Sequence, residues 1–279
     1  MSLPLHVPGP CSALYGVIGH PVGHSLSPIL HTWAFSCLQI PGAYLKWDVD
    51  ASDFGAFTVA LRVLPIHGLS VTLPHKQRII PYLDHMTHEA IQIGAVNTVY
   101  WQQGDLWGTN TDWQGIFRPL RERAVAPDSA LILGAGGASL AAVEALRQLG
   151  CHKIFLSARD QQKVSRQLKG QGILSLPWEE RSQCEPDVLI NSTPLGMAGE
   201  FQNHSPWPEG RSLQGVSWVF DLVYTPPKTR LLHEAEQAGC KTISGLEMFV
   251  SQALGQFEIW TGQGFDPRAA FDLLSGSVA

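Results

Sequence analysis

Leu131-Ile132-Leu133-Gly134-Ala135-Gly136-Gly137-Ala138-Ser139 is the stretch on which the fold turns. An apolar strand predicted over 129–133 runs into three glycines. A helix predicted over 138–149 then follows and is stopped by Gly150. The next apolar run, 153–157, reads as a second strand, which completes a mononucleotide-type βαβ unit. A strand that ends in glycines and opens a helix lets backbone N–H groups meet a pyrophosphate. Ser139 stands where the strict G-x-G-x-x-G pattern has its third glycine. The alternatives are therefore dinucleotide binding and a tight structural turn, and the strand before with the helix after favours the first.

About 20 residues beyond such a turn lies the position that reads a nucleotide ribose. Here it is Ser157-Ala158-Arg159-Asp160, followed by Lys163. Arg159 and Lys163 suit a 2′-phosphate, whereas Asp160 suits a 2′-hydroxyl and repels a phosphate. Asp160 also suits the N-cap of the following helix.

Outward from this unit, short apolar strands keep alternating with helix-period segments, the pattern of an α/β chain with parallel sheets. A strand over 14–18 precedes a helix that Ser27 is expected to cap and Pro28 to begin. Strands follow over 44–49 and 68–71 with a helix over 51–64 between them, then a hairpin of 96–100 and 106–109. This first unit runs to Asp112, and the second begins near Trp113. Further strands are predicted over 187–190 and 218–222, with a helix over 229–238 stopped by Gly239. The last helix, from about Leu246, aligns Leu246, Phe249, Val250, Ala253, Phe257 and Trp260, with Gln252 on the flank of that stripe and able to look into a cleft.

At 279 residues the chain suggests roughly two domains with a cleft between them. A formal net charge of −5 and the lack of any basic run argue against nucleic acid and for a small-molecule partner. The five cysteines, Cys11, Cys37, Cys151, Cys184 and Cys240, are scattered singly. They form neither a disulfide framework nor a zinc site and fit reduced thiols in a cytoplasm. The first ten residues lack a signal peptide's basic and apolar regions, and no apolar run is long enough for a bilayer, so no membrane partner is expected.

Val71-Thr72-Leu73-Pro74-His75-Lys76 and Gly108-Thr109-Asn110-Thr111-Asp112 carry the candidate proton chemistry. A lysine in isolation is ordinarily a solvated surface group. An ammonium held by a carboxylate in a partly dry cleft instead delivers a proton to a developing alkoxide, so Lys76 and Asp112 are read as an acid/base pair. Ser25 and Ser27 stand at a helix start, which also suits a carboxylate ligand, and that role coexists with capping. His24 and His75 read as hydrogen-bonding or packing residues, and His85 and His88 as surface residues at i and i+3 of one helix. No metal site is expected.

Seven blocks in order give the chain a resemblance to the shikimate 5-dehydrogenase family that runs from about Tyr15 to Gly264. They begin at Gly19-His20-Pro21-Val22-Gly23-His24-Ser25-Leu26-Ser27-Pro28 and the Val71 to Lys76 block. Gly94-Ala95-Val96-Asn97-Thr98 and the Gly108 to Asp112 block follow. Asn191-Ser192-Thr193-Pro194-Leu195-Gly196-Met197, Asp221-Leu222-Val223-Tyr224 and Gly245-Leu246-Glu247-Met248-Phe249-Val250-Ser251-Gln252 complete them. The resemblance implies an α/β protein of two domains. Residues 1–112 plus 246–279 would form an N-terminal α/β substrate and catalytic domain completed by C-terminal helices, and 113–245 an inserted Rossmann-like NADP-binding domain. It implies a cytoplasmic oxidoreductase acting on a CH–OH group, which reduces 3-dehydroshikimate to shikimate with NADPH on the shikimate pathway to chorismate and the aromatic amino acids, as monomer or homodimer.

Carried over by resemblance, Lys76 would be the acid/base with Asp112 its partner. Ser25 and Ser27 would hold the substrate carboxylate, and Thr72, Asn97, Tyr224 and Gln252 would line the ring. Gly134, Ala135, Gly136, Gly137 and Ala138 would cradle the pyrophosphate, Arg159 and Lys163 would meet the 2′-phosphate, and Gly245 and Met248 would lie near the nicotinamide.

Two positions depart from the family's pattern. Ser70 replaces a common Asn, which loses an amide. Ala158-Arg159-Asp160 replaces Asn-Arg-Thr, which leaves NAD as the alternative to NADP. The rivals are a quinate/shikimate dehydrogenase of mixed specificity using NAD, against which Ser27 stands because the quinate branch often has Thr there, and a non-catalytic dinucleotide or metabolite sensor.

Overall fold

The computed structural model describes residues 13–162, 164 and 172–276. They divide into two compact units. One holds the described residues up to Asn110 with Ala253–Asp266; the other holds those of Thr111–Gln252 and those from Pro267 onward.

The first unit opens with β1 (Ala13–Gly19), α1 (Ser27–Cys37), β2 (Gly42–Asp48), α2 (Phe54–Leu61) and β3 (Ile66–Val71). The strands β4 (His85–Met86), β5 (Thr98–Gln102) and β6 (Asp105–Thr109) follow, with α3 (His88–Ile93) between the first two. Six strands form one sheet in the order β2-β1-β3-β5-β6-β4. β1 pairs parallel with both β2 and β3, while β5 runs antiparallel to β3 and to β6. The carboxyl ends of β1, β3 and β6 therefore meet the start of β5 along one edge, and the direction of winding reverses between β1 and β3. Ligand crevices of open α/β sheets lie at such an edge. Ile18, Phe54, Leu69, Val71, Val96 and Val99 belong to the core beneath it.

The second unit contains α4 (Asp112–Glu122), β7 (Ser129–Leu133), α5 (Gly137–Gln148), β8 (Lys153–Ser157), β9 (Leu174–Ser175) and β10 (Val188–Asn191). β11 (Trp218–Asp221), α6 (Arg230–Gln237), β12 (Lys241–Ile243), α7 (Gly245–Thr261) and α8 (Pro267–Ser275) complete it, except that α7 carries the chain on into the first unit at Ala253. The sheet order is β12-β11-β10-β7-β8-β9, with every pairing parallel. Counted from β7, this is the 3-2-1-4-5-6 order of the doubly wound dinucleotide-binding fold, with its switch point between β7 and β10. Both of those strands are buried on both faces, which explains their nearly unbroken apolar sequences.

Several local expectations change. Ser27 is the first residue of α1 and caps nothing; the Ser25 hydroxyl instead accepts the Ser27 N–H at 3.3 Å. The helix expected over 51–64 is shorter, Phe54–Leu61. His85 and His88 share no helix, because His85 lies in β4 and pairs with Asp105 at 3.1 Å, whereas His88 begins α3 behind the Thr87 cap. α3 is the helix expected around His85 and His88, beginning only at His88, whereas α4 and α8 and the strands β4, β9 and β12 have no counterpart among the expected elements.

Candidate active site

Each unit brings a set of the expected residues to its sheet edge. In the first, the segments leaving β1 and β3 are tied together by the His20 N–H donating to Leu73 O (3.0 Å) and the Thr72 N–H to Ile18 O (2.9 Å). Thr72 thus stands beside the loop that carries Ser25 and Ser27, of which Ser25 is half-buried and Ser27 buried. His75, fully buried, donates from Nε2 to Val49 O at 2.7 Å and stacks on Phe54, so it is the packing histidine expected and it anchors the turn that presents Lys76. Lys76 is half-buried, and its carbonyl accepts the Val96 N–H at 2.8 Å, which holds it next to Asn97. Asn97, 2% exposed, is locked in turn by its own N–H to Thr109 O and by the Val71 N–H to its carbonyl. Ser25, Ser27, Thr72, Lys76 and Asn97 are therefore neighbours in one set of interlocked loops.

In the second unit, Asp112 opens α4 and is 8% exposed. One turn on, a Cβ at Gly115 would lie 2.7 Å from Met248 O and 3.0 Å from Gln252 Cβ, so α4 crosses α7 closely at the Asp112 end. Gln252 donates from Nε2 to Phe249 O at 3.0 Å. Tyr224 packs its ring 5.4 Å from that of Phe249, and burial raises its phenol pKa. A Cβ on Gly245 would come within 2.4 Å of Val223 O; packing alone therefore demands glycine there. Asp112, Tyr224, Met248 and Gln252 thus gather around the start of α7, while Lys76 belongs to the other unit.

At the switch point Gly134 has φ +111°, and a Cβ on it would lie 2.6 Å from Ser192 Oγ, whose hydroxyl donates to Leu133 O at 2.7 Å. Only glycine fits this turn. By contrast, a Cβ on Gly136 or Gly137 would meet nothing within 4 Å, and no side chain caps α5. The first turn of α5 consequently has both the open approach and the N–H groups that a pyrophosphate needs. Ser139, in the third-glycine position, is buried and donates back to Gly136 O at 2.5 Å. Ala135 and Ala138 complete the turn. Arg159 is exposed, its guanidinium 5.8 Å from the Trp178 ring centroid, and Asp160 is exposed beside it. Lys163 lies outside the described residues.

Glycine turn, sheet order and open helix start fit a dinucleotide, and they make this a two-unit α/β protein of the dinucleotide-binding class. A model of the shikimate dehydrogenase substrate binding domain matches residues 17–99, and one of the shikimate 5'-dehydrogenase C-terminal domain matches residues 245–267. The shikimate dehydrogenase (NADP(+)) of Pelobacter propionicus is 45% identical over 265 residues, 94% of this chain and 95% of that protein. A crystal structure of a shikimate dehydrogenase in complex with NADP+ superposes with a TM-score of 0.88 at 30% identity, covering 96% of each chain. The Thermus thermophilus shikimate 5-dehydrogenase in complex with NADP(H) and shikimate gives 0.86 at 34% identity, covering 96% of this chain and all of that one. The chain belongs to the shikimate dehydrogenase family.

Two groups of buried polar residues have no role in the sequence reading, although Asn191 and Asp221 open two of its seven blocks. Gln256 lies one helical turn beyond Gln252, so its i, i+4 spacing on the flank of an apolar stripe was the available signal. Asn191, Asp221 and Thr229 form a buried cluster at the ends of β10 and β11, and nothing in their spacing signals it.

Proposed function

We propose that this chain is an NADP-dependent shikimate dehydrogenase, which reduces 3-dehydroshikimate to shikimate and runs in reverse with NADP+. Its near-full-length likeness to proteins of that name carries the reading. The bound nicotinamide supplies the hydride that reaches the ring carbonyl carbon. Lys76 gives the proton to the carbonyl oxygen as it becomes an alkoxide, and takes it back in the oxidative direction. Asp112 is the second catalytic residue, the carboxylate partner in the acid/base chemistry. Ser25 and Ser27 hold the substrate carboxylate, while Thr72, Asn97, Tyr224 and Gln252 receive the ring hydroxyls.

Gly134, Ala135, Gly136, Gly137 and Ala138 hold the pyrophosphate at the start of α5. Arg159, joined by Lys163, takes the 2′-phosphate; Gly245 and Met248 border the nicotinamide. Asp160 opposes a phosphate and keeps NAD as a weaker alternative. The scattered cysteines support a cytoplasmic enzyme, and the net charge of −5 supports a small-molecule substrate without nucleic acid. Among the described residues no helix is long and apolar enough to cross a membrane. A monomer or homodimer completes the proposal.

Steady-state oxidation of shikimate and of quinate, each with NADP+ and NAD+, is the test. The shikimate and NADP+ pair should have the highest kcat/KM. Preference for quinate or NAD+ would move the chain to a mixed-specificity enzyme, and no turnover in any combination would make it a sensor.

A further inference from the structure

Ser70 stands where the family commonly has an asparagine, yet the site around it is not short of an amide. Ser70 is 5% exposed and lies on β3 opposite Thr98 of β5. Its Oγ is within 2.6 Å of the Tyr44 hydroxyl and 2.7 Å of Gln256 Oε1. Gln256, 2% exposed, places Nε2 3.0 Å from Asn97 O and 3.0 Å from Thr98 Oγ1, and Thr98 Oγ1 is 2.6 Å from Asn97 Oδ1. All five residues belong to the first unit.

The direction of each bond follows from one fixed point. A backbone carbonyl only accepts, so the Gln256 atom facing Asn97 O is the NH2, and the atom facing Ser70 is the carbonyl oxygen. Ser70 must then donate to Gln256 and accept from Tyr44, whose phenol burial keeps protonated and hence a donor. The second Gln256 N–H goes to Thr98 Oγ1, which leaves the Thr98 O–H to donate to Asn97 Oδ1. The chain of donors therefore runs Tyr44 to Ser70 to Gln256, and Gln256 to Thr98 to Asn97. It ends by fixing the oxygen of the Asn97 carboxamide toward Thr98, so the NH2 is turned to the opposite side.

We propose that Gln256, coupled through Ser70 and Thr98, is a positioning residue that sets the side-chain amide of Asn97 for the substrate's hydroxyls, replacing from α7 the amide that position 70 lacks. The proposal rests on the shikimate dehydrogenase reading. A buried network of this kind transmits orientation because each member left without its partner carries a desolvation cost.

The test compares wild type, Gln256→Met, Ser70→Ala and the double variant Ser70→Asn/Gln256→Ala, by shikimate and NADP+ KM, kcat and calorimetric binding of shikimate. Gln256→Met should raise the shikimate KM and Kd by about tenfold and Ser70→Ala by about threefold, as expected for loss of one buried hydrogen bond or part of one. The NADP+ KM should stay within about twofold, and the double variant, which returns an amide to position 70, should recover most of the shikimate affinity.

Equal loss for shikimate and NADP+, absence of rescue, or unchanged shikimate constants would overturn the relay while wild-type turnover left the enzyme reading standing. Should Gln256→Met not fold, Ser70→Ala, the smaller change, reads the same relay. A wild type that neither binds nor oxidises shikimate would defeat the function, and the relay with it.

Discussion

Asp221 is fully buried, and three donors hold it: Thr229 Oγ1 at 2.6 Å, Asn191 Nδ2 at 2.9 Å and the Val223 N–H at 3.1 Å. Burial outweighs these donors and pushes its pKa up to about 6. In the unfolded chain an aspartate titrates near 3.9, so between about pH 4 and 6 the folded state binds more proton than the unfolded one. This group's contribution to stability therefore falls as pH rises through that window, by on the order of 3 kcal/mol, and is flat above it. Urea unfolding of wild type and Asp221→Asn across pH 4 to 8 should show the wild type losing ground to the variant up to about pH 6; a constant difference would contradict it. In the proposed function the opposing charges of Arg159 and Asp160 read the nucleotide. Arg159→Ala should raise the NADP+ KM by about tenfold and leave that for NAD+ nearly unchanged, and Asp160→Thr should lower the NADP+ KM.

Among the elements, α6 has the clearest start. The Thr229 hydroxyl accepts the Leu232 N–H at 3.3 Å while donating to Asp221. Thr229→Ala removes both a cap and a donor to a buried carboxylate, with an expected loss of about 2–4 kcal/mol in chemical denaturation, whereas Thr229→Ser should retain most of the stability. A loss below about 0.5 kcal/mol for the alanine variant would show that Asp221 does not depend on this donor. The sequence made such elements legible where an apolar run meets a breaker: β7 before Gly134, α5 before Gly150 and α6 before Gly239. It hid β4 and β9, each two residues long, because a pair of residues has no period. At α1 the serine that meets the helix start is Ser25, since a two-residue step places its oxygen on the Ser27 N–H, while Ser27 itself has already entered the helix.

For the whole molecule, glycine spacing marked the β7 to α5 turn, but the 3-2-1-4-5-6 order depends on long-range pairing that no local pattern encodes. The blocks around Thr72, Lys76 and Asn97 were legible as motifs, whereas the hydrogen bonds that interlock them, such as Val96 N–H to Lys76 O, are products of folding. If the glycine turn and the loops of the first unit carry their proposed ligands, hydrogen exchange should separate the two. NADP+ is expected to slow exchange at residues 134–139 and 158–160, and shikimate at 25–28 and 72–76. Protection of the glycine turn by shikimate alone would contradict the division of roles.

The most direct measurement is turnover of Lys76→Ala beside calorimetric binding of shikimate to the same variant. If Lys76 moves the proton, kcat should fall by about a hundredfold or more while the shikimate Kd changes by no more than about threefold. Turnover equal to wild type would remove Lys76 from the chemistry and contradict the mechanism.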